Sequence, residues 1–287
     1  MREIALKESD ISRLREYQLG DIISTEGKIY YYRRDSHNST SYLLKRLYNT
    51  DSERVERKIS TIREAQDSEL VTYPELVFPT DYIVIQGIKS GFTIEEIENC
   101  QNLSLFLENK SVPRKDKIKI LIKIGQLLHR VQAQSQEFYF GDLQAYNFLV
   151  DSQQQLYTVD LDSSATTSDV ALESKYVACD SKTYDIPKYG VTKEGRCLPS
   201  QNTDIYCYNT LVLNYLAGRS LHRLSFDEFY KYLEYLEECG MPKEFVNIYR
   251  HHYTNKNNSS VVDYLSILPE DYGRINYSVY NALQKRR

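Results

Sequence analysis

Hydrophobic and polar positions alternate in short runs over residues 1–90. Asp21–Ser24, Lys28–Arg33 and Ser41–Tyr48 are β-branched or aromatic runs, separated by Glu26-Gly27 and by the polar group Asp35–Thr40, and they predict strands. Asp51–Gln66 is charged and weakly periodic and predicts a helix. Two more strands are expected around Glu75–Phe78 and Tyr82–Gln86, with Pro79-Thr80-Asp81 as the turn between them.

After Gly87 the pattern turns helical. Thr93–Asn109 carries acid-then-apolar patterning and predicts a helix. Pro113 suits the first turn of the next one. Beyond it Ile120, Ile124, Leu127 and Val131 recur at helical spacing, and Leu121 and Leu128 widen the stripe, so this helix is expected to be mostly buried. Phe148–Val150 and Leu156–Val159 read as strands around a hairpin turn at Asp151–Gln155. Residues 163–203 are polar and irregular, too long for an inert loop. Asp204–Ala217 reads as a helix, and the rest as several short helices. The order of elements predicts an α+β protein in two lobes, 1–86 and 87–287, with a boundary near Gln86–Ile88.

Composition narrows this picture only slightly. The 287 residues carry a formal net charge of −4, which gives no basic field for nucleic acid or a membrane surface. No apolar run approaches the roughly 18 residues of a transmembrane helix, and the start lacks the apolar core of a signal peptide, so a cytoplasmic protein is expected. The five Cys are scattered without metal-ligand spacing and read as reduced thiols. The 26 Tyr, against 9 Phe and no Trp, read mainly as compositional bias.

The chemistry-bearing stretch is Phe140-Gly-Asp142-Leu-Gln-Ala-Tyr-Asn147, followed by Val159-Asp160-Leu161-Asp162. Asp142 and Asn147 lie five apart on a loop after the buried helix, and Asp160 follows Asp142 by eighteen residues, beyond a hairpin that returns it beside Asn147. A carboxylate and an amide oxygen together are hard ligands suited to Mg²⁺. Asp142 is then free to accept a proton from a hydroxyl.

These spacings resemble those of the protein kinase superfamily, whose catalytic loop and metal-binding motif carry the same Asp-to-Asn and Asp-to-Asp intervals. Asp204-Ile-Tyr-Cys-Tyr-Asn-Thr-Leu-Val-Leu-Asn-Tyr-Leu-Ala-Gly218 is similar to the helix that follows the activation segment in that family, and Met241–Tyr249 and Val261–Leu265 look like its late-lobe helices. The resemblance covers about residues 17–270. It implies a bilobal protein-kinase-like fold, with a small N-terminal antiparallel sheet lobe holding one main helix, and a larger, mostly helical C-terminal lobe. It also implies ATP and Mg²⁺ as cofactors.

Carried over position by position, Lys45 anchors the ATP phosphates, and its partner is Glu56 or Glu64 on the following helix, with Glu56 the better fit to the local apolar pattern. Gly27 belongs to the phosphate-covering loop. Ile85 stands before the hinge, and Gln86, Gly87 and Ile88 offer backbone groups to adenine. Asp142 is the catalytic base. Asn147 and Asp160 hold Mg²⁺, and Asp162 is either a further acidic neighbour of the metal or a residue that starts the next loop. Asp204 fixes the catalytic-loop backbone, and His129 packs or caps.

Several positions depart from the family pattern. The phosphate-covering loop has one Gly where three are common, leaving Lys28 to compensate. Phe140-Gly141 replaces His-Arg, which removes the usual partner of a phosphorylated activation loop. Asp160-Leu161-Asp162 lacks the mobile Phe, Ile186-Pro187-Lys188 lacks the usual Glu, and the Arg that would pair with that Glu is missing near Asn255–Ser260. Gln144 stands where protein-serine kinases carry a Lys. A divergent protein kinase acting on Ser/Thr hydroxyls of a protein substrate is the first expectation. A small-molecule kinase of the aminoglycoside or metabolite type is the second, and a pseudokinase-like scaffold the third.

Overall fold

The computed structural model describes residues 1–18, 26–34, 40–135, 138–164, 201–221, 224–251, 259–268 and 275–285. The strand expected at Asp21–Ser24, Ile186-Pro187-Lys188, Cys179 and Cys197, nearly all of 163–203, and much of Asn255–Ser260 lie outside the described residues. The protein is α+β, with a mixed five-stranded sheet, a three-stranded sheet and helices. The chain divides into two compact units, Met1–Glu108 with Ala145–Asp169, and Asn109–Gln144 with Val170–Arg287.

The first unit is built on the five-stranded sheet. Its strands are β1 (Glu3–Leu6), β2 (Gly27–Arg34), β3 (Ser41–Leu47), β4 (Asp81–Ile85) and β5 (Ile88–Glu95), in the spatial order β1-β4-β5-β3-β2. The sheet is mixed where a purely antiparallel one was expected, because β1 lies parallel to β4, with Glu3 opposite Tyr82 and Leu6 opposite Ile85. Residues 3–6 lie outside the strands expected from the sequence.

Alternation along the strands sorts their side chains onto two faces. Ile83, Ile85 and Leu44 join Ile11 of the short helix α1 (Glu8–Ile11) on one face. Leu47, Tyr82, Val84 and Phe92 face Val55, Ile59 and Ile62 of helix α2 (Ser52–Gln66) on the other. The α2 start is fixed by Asp51, whose carboxylate accepts the Arg54 N–H at 3.0 Å.

Two expected elements differ. Glu75–Phe78, bracketed by Pro74 and Pro79, makes only a single bridge, Leu76 to Thr158. Thr93–Asn109 is not one helix. Its first residues finish β5, and Cys100–Asn102 forms β6 before the short helix α3 (Leu103–Glu108). Pairing of Thr93 and Ile94 with β3 outweighs the acidic, helix-like composition of Glu95–Glu98. The smaller sheet is β6 with the antiparallel hairpin β7 (Phe148–Asp151) and β8 (Leu156–Thr158).

The second unit is helical among its described residues. It contains α4 (Arg114–Gln134), α5 (Gln201–Ala217), α6 (Phe226–Glu238), α7 (Lys243–Arg250) and α8 (Tyr277–Gln284). Pro113 caps α4, and the expected stripe Ile120, Leu121, Ile124, Leu127, Leu128 and Val131 is buried. Tyr208 of α5 donates its hydroxyl to the Leu121 carbonyl of α4 at 2.9 Å. Among the described residues no helix is long and apolar enough to cross a membrane, and Cys100, Cys207 and Cys239 are free thiols.

Candidate functional site

In β3, Lys45 alternates with Leu44, so its side chain lies on the α2 face of the sheet beside Leu47. It is 2 % exposed. A buried ammonium needs carboxylate partners, and Lys45 has three. Its Nζ donates to the two oxygens of Asp162 at 2.9 and 3.0 Å, to Glu26 at 3.3 Å, and to Asp160. From α2, Lys58 reaches the same place. Its Nζ donates to Asp162 Oδ2 at 3.0 Å, to the Asp162 carbonyl at 2.9 Å and to Glu26 at 3.2 Å. Arg54 closes the set on the other Glu26 oxygen at 2.9 Å.

The β7–β8 hairpin delivers the two aspartates. The Val159 N–H donates to the Asn147 carbonyl at 2.8 Å, which ties the residue before Asp160 to Asn147, itself buried in a 3-10 turn, Ala145–Asn147, ahead of β7. Asp160 then adopts a left-handed backbone (φ 63°, ψ 31°), a conformation Asp tolerates better than most residues and one that recurs at functional sites. That bend starts the 3-10 turn Leu161–Ser163, which lies against α2.

The charges shape one another. Burial alone would lower the Lys45 pKa, but Asp160, Asp162 and Glu26 outweigh it and hold the ammonium charged. Burial would raise Asp162, yet Lys45 and Lys58 keep its carboxyl well below the usual range. Glu26 is lowered in the same way, burial being outweighed by Lys45 and Lys58. Asp160 goes the other way. Burial and the neighbouring Asp162 charge push it up to about 7, against the pull of Lys45. Carboxylate oxygens of Glu26, Asp160 and Asp162 lie within 4.8 Å of one another. A cluster of hard oxygen donors around one raised carboxyl fits a Mg²⁺-type ion better than a soft metal.

Other sequence-derived residues fall elsewhere. Glu56 and Glu64 are both exposed on α2 and neither is the partner of Lys45. Glu56 pairs with Lys89, and Glu64 accepts from Ser60 at 3.1 Å. Residues 86–88 do not form a hinge strand. Gln86 (φ 52°) and Gly87 (φ 81°) make the two-residue turn of the β4–β5 hairpin, with Ile85 opposite Ile88. Ile85 is buried on the sheet face opposite Lys45, and Ile88 is exposed. Gly27 opens β2, pairing with Leu47 directly after Glu26, and a side chain there would collide with the Arg46 carbonyl.

In the second unit Gly141 (φ 71°) turns the chain into Asp142, whose Oδ2 accepts from Gln144 at 2.7 Å. Asp204 on α5 holds that loop. Its carboxylate accepts the Phe140 N–H at 2.8 Å and the Gly141 N–H at 3.1 Å. His129, expected to pack or cap, is exposed on α4.

Sequence reasoning missed Lys58 and Glu26. A signal for Lys58 was present. It sits on the stripe Val55, Ile59, Ile62, Ala65, where a charge has no reason to be unless it is paired. Glu26 carries no comparable signal, because only the fold of β2 against β3 brings it to Lys45. The chain matches no family model, and no curated protein matches it.

Proposed function

We propose that the protein is a Mg-ATP-dependent phosphotransferase with a bilobal protein-kinase-like fold, acting on Ser/Thr hydroxyls of a protein substrate. One observation carries this reading. A buried Lys45, held charged by its carboxylate neighbours, meets the carboxylate that follows the β7–β8 hairpin, next to a residue tied to Asn147. Burying a lysine with three carboxylates costs more desolvation than an apolar residue would, so packing alone gives no reason for the arrangement.

In this mechanism Lys45 holds the nucleotide phosphates as a fixed charge. Asp160 and Asn147 would hold Mg²⁺, which when bound supplies neutralisation of phosphate charge. Asp142 orients the acceptor hydroxyl and takes its proton. Asp204, through two backbone N–H groups, keeps the loop before Asp142 in place. Most of the rate then comes from positioning and electrostatics.

A second reading, a kinase of small molecules, is favoured by one contact. Gln144, standing where a protein-serine kinase carries Lys, engages Asp142 instead of offering a cation. Incubation with labelled ATP, Mg²⁺ and a cell lysate separates the two, with Asp142→Ala as the control. Label on proteins that vanishes in the variant is the expected result. Label confined to small molecules favours the second reading. No transfer and no Mg-ATP-induced thermal shift would leave a scaffold and overturn both.

A further inference from the structure

Lys58 stands on the buried stripe of α2, the helix from which the resemblance draws a glutamate partner for the phosphate-anchoring lysine. Its charge has the opposite sign, yet the region is not left unbalanced. Asp162 supplies the missing carboxylate from the turn after β8, and it lies between two ammonium groups.

We propose that the Lys45 anchor is built in inverted order in this protein. Asp162 is the residue that positions Lys45, and Lys58 is the residue that fastens Asp162 to α2. The proposal rests on the phosphotransferase reading.

Two observations select Asp162 over the other carboxylates. It alone gives both oxygens to Lys45, at 2.9 and 3.0 Å. Its side chain has no exposed surface, whereas those of Asp160 and Glu26 keep 28 % and 24 %. An anchor that stays with the lysine when phosphates arrive must be the enclosed one, and Asp160 and Glu26 are partly open to solvent.

Lys58 does more than balance charge. It donates to the Asp162 carbonyl as well as to its carboxylate, so it grips the backbone of the turn that also carries Asp160. A lysine has three donors and can do this, and the glutamate of the resemblance has none. The position of both aspartates, and the charge of Asp162, are therefore referred to α2 through one side chain. Movement of α2 changes the place of Asp160 and of Lys45 together.

The test measures Mg-ATP affinity by calorimetry on the full chain, alongside the thermal midpoint of each nucleotide-free variant. Lys58→Met is expected to weaken Mg-ATP about 10- to 100-fold, the loss typical of removing a charge-assisted contact. Lys58→Arg, which keeps the charge and both donations, is expected to stay within about threefold of wild type. Lys58→Glu alone sets two carboxylates against each other and should bind worst. Lys58→Glu with Asp162→Asn restores a helix-borne carboxylate for Lys45, and should bind at least about tenfold more tightly than Lys58→Glu alone.

A purely structural Lys58 would lower the thermal midpoint without this pattern of loss and recovery. Wild-type affinity in folded Lys58→Met, or no recovery in the double variant, overturns the inversion and leaves the phosphotransferase reading standing. Failure of folded wild-type protein to bind Mg-ATP overturns that reading and the inversion with it. If Lys58→Met does not fold, the comparison of Lys58→Arg, Lys58→Glu and the double variant decides.

Discussion

Asp204 shows how one buried carboxyl sets a pH dependence. Burial pushes it up to about 7, even though it accepts two backbone N–H groups that favour the charged form. Its folded pKa is above its unfolded one, so folding favours the protonated acid. The resulting stabilisation is full below about pH 4, the ordinary Asp range, and is lost as pH rises through about 7. Asp204→Asn removes that titration and keeps one acceptor oxygen. Urea unfolding should therefore show the wild-type advantage over Asp204→Asn shrinking from pH 5 to pH 8, and an advantage that grows with pH would refute the assignment. Residues whose partners are near in sequence, or fixed by a hairpin, were legible before the fold was known. Asp160 and Asn147, brought together by the β7–β8 hairpin, are of this kind, whereas Lys45 draws its aspartates from far along the chain. The lysine's partner was not, because Glu56 and Glu64 carry the right charge on the wrong side of α2. A helix turns about 100° per residue, so Glu56 lies nearly opposite the stripe on which Lys58 sits.

Among the elements, α4 was the most legible, since its apolar stripe is long, regular and buried on both flanks. What the stripe could not show is how closely α5 approaches it. Gly125 lies under the ring of Tyr208, and a Cβ there would come within 2.6 Å of the Tyr208 hydroxyl oxygen and 2.7 Å of a Val262 methyl. Gly125→Ala should gain up to about 1 kcal/mol in helix propensity. It should lose more by displacing Tyr208 from the Leu121 carbonyl, giving a net destabilisation of about 1–3 kcal/mol by thermal unfolding. A variant more stable than wild type would mean that the two helices can separate without cost. The tyrosine excess gains a physical use here. Tyr208 and Tyr249 fill core volume and satisfy the carbonyls of Leu121 and Asn209, which Phe could not. The segment misread as a helix, Thr93–Asn109, failed for the opposite reason. Its acidic residues fall at the end of β5 and in the loop after it, and only pairing with β3 and β4 reveals Thr93 and Ile94 as strand positions.

For the whole molecule, the first unit is made of two distant stretches of chain, Met1–Glu108 and Ala145–Asp169, joined where β3, α2 and the turn after β8 share the ions of Lys45, Lys58, Arg54, Glu26, Asp160 and Asp162. A ligand held by these groups fastens the two stretches to each other as well as to itself. If the phosphotransferase reading holds, Mg-ATP at about 100 times its dissociation constant would add about 2.7 kcal/mol to the stability of whatever unfolds with the site. Hydrogen exchange should therefore slow most in β3, in α2 and across residues 158–164, whose amides are protected by the same contacts. The effect should need the metal. EDTA, or Asp160→Asn in the presence of Mg²⁺, should return exchange in these elements to the nucleotide-free rate, because Asp160 is a carboxylate of the oxygen cluster that would hold the cation. Protection that persists in EDTA would show the nucleotide held by lysines alone. Protection that spares both α2 and residues 158–164 would place the bound nucleotide away from the ion network altogether.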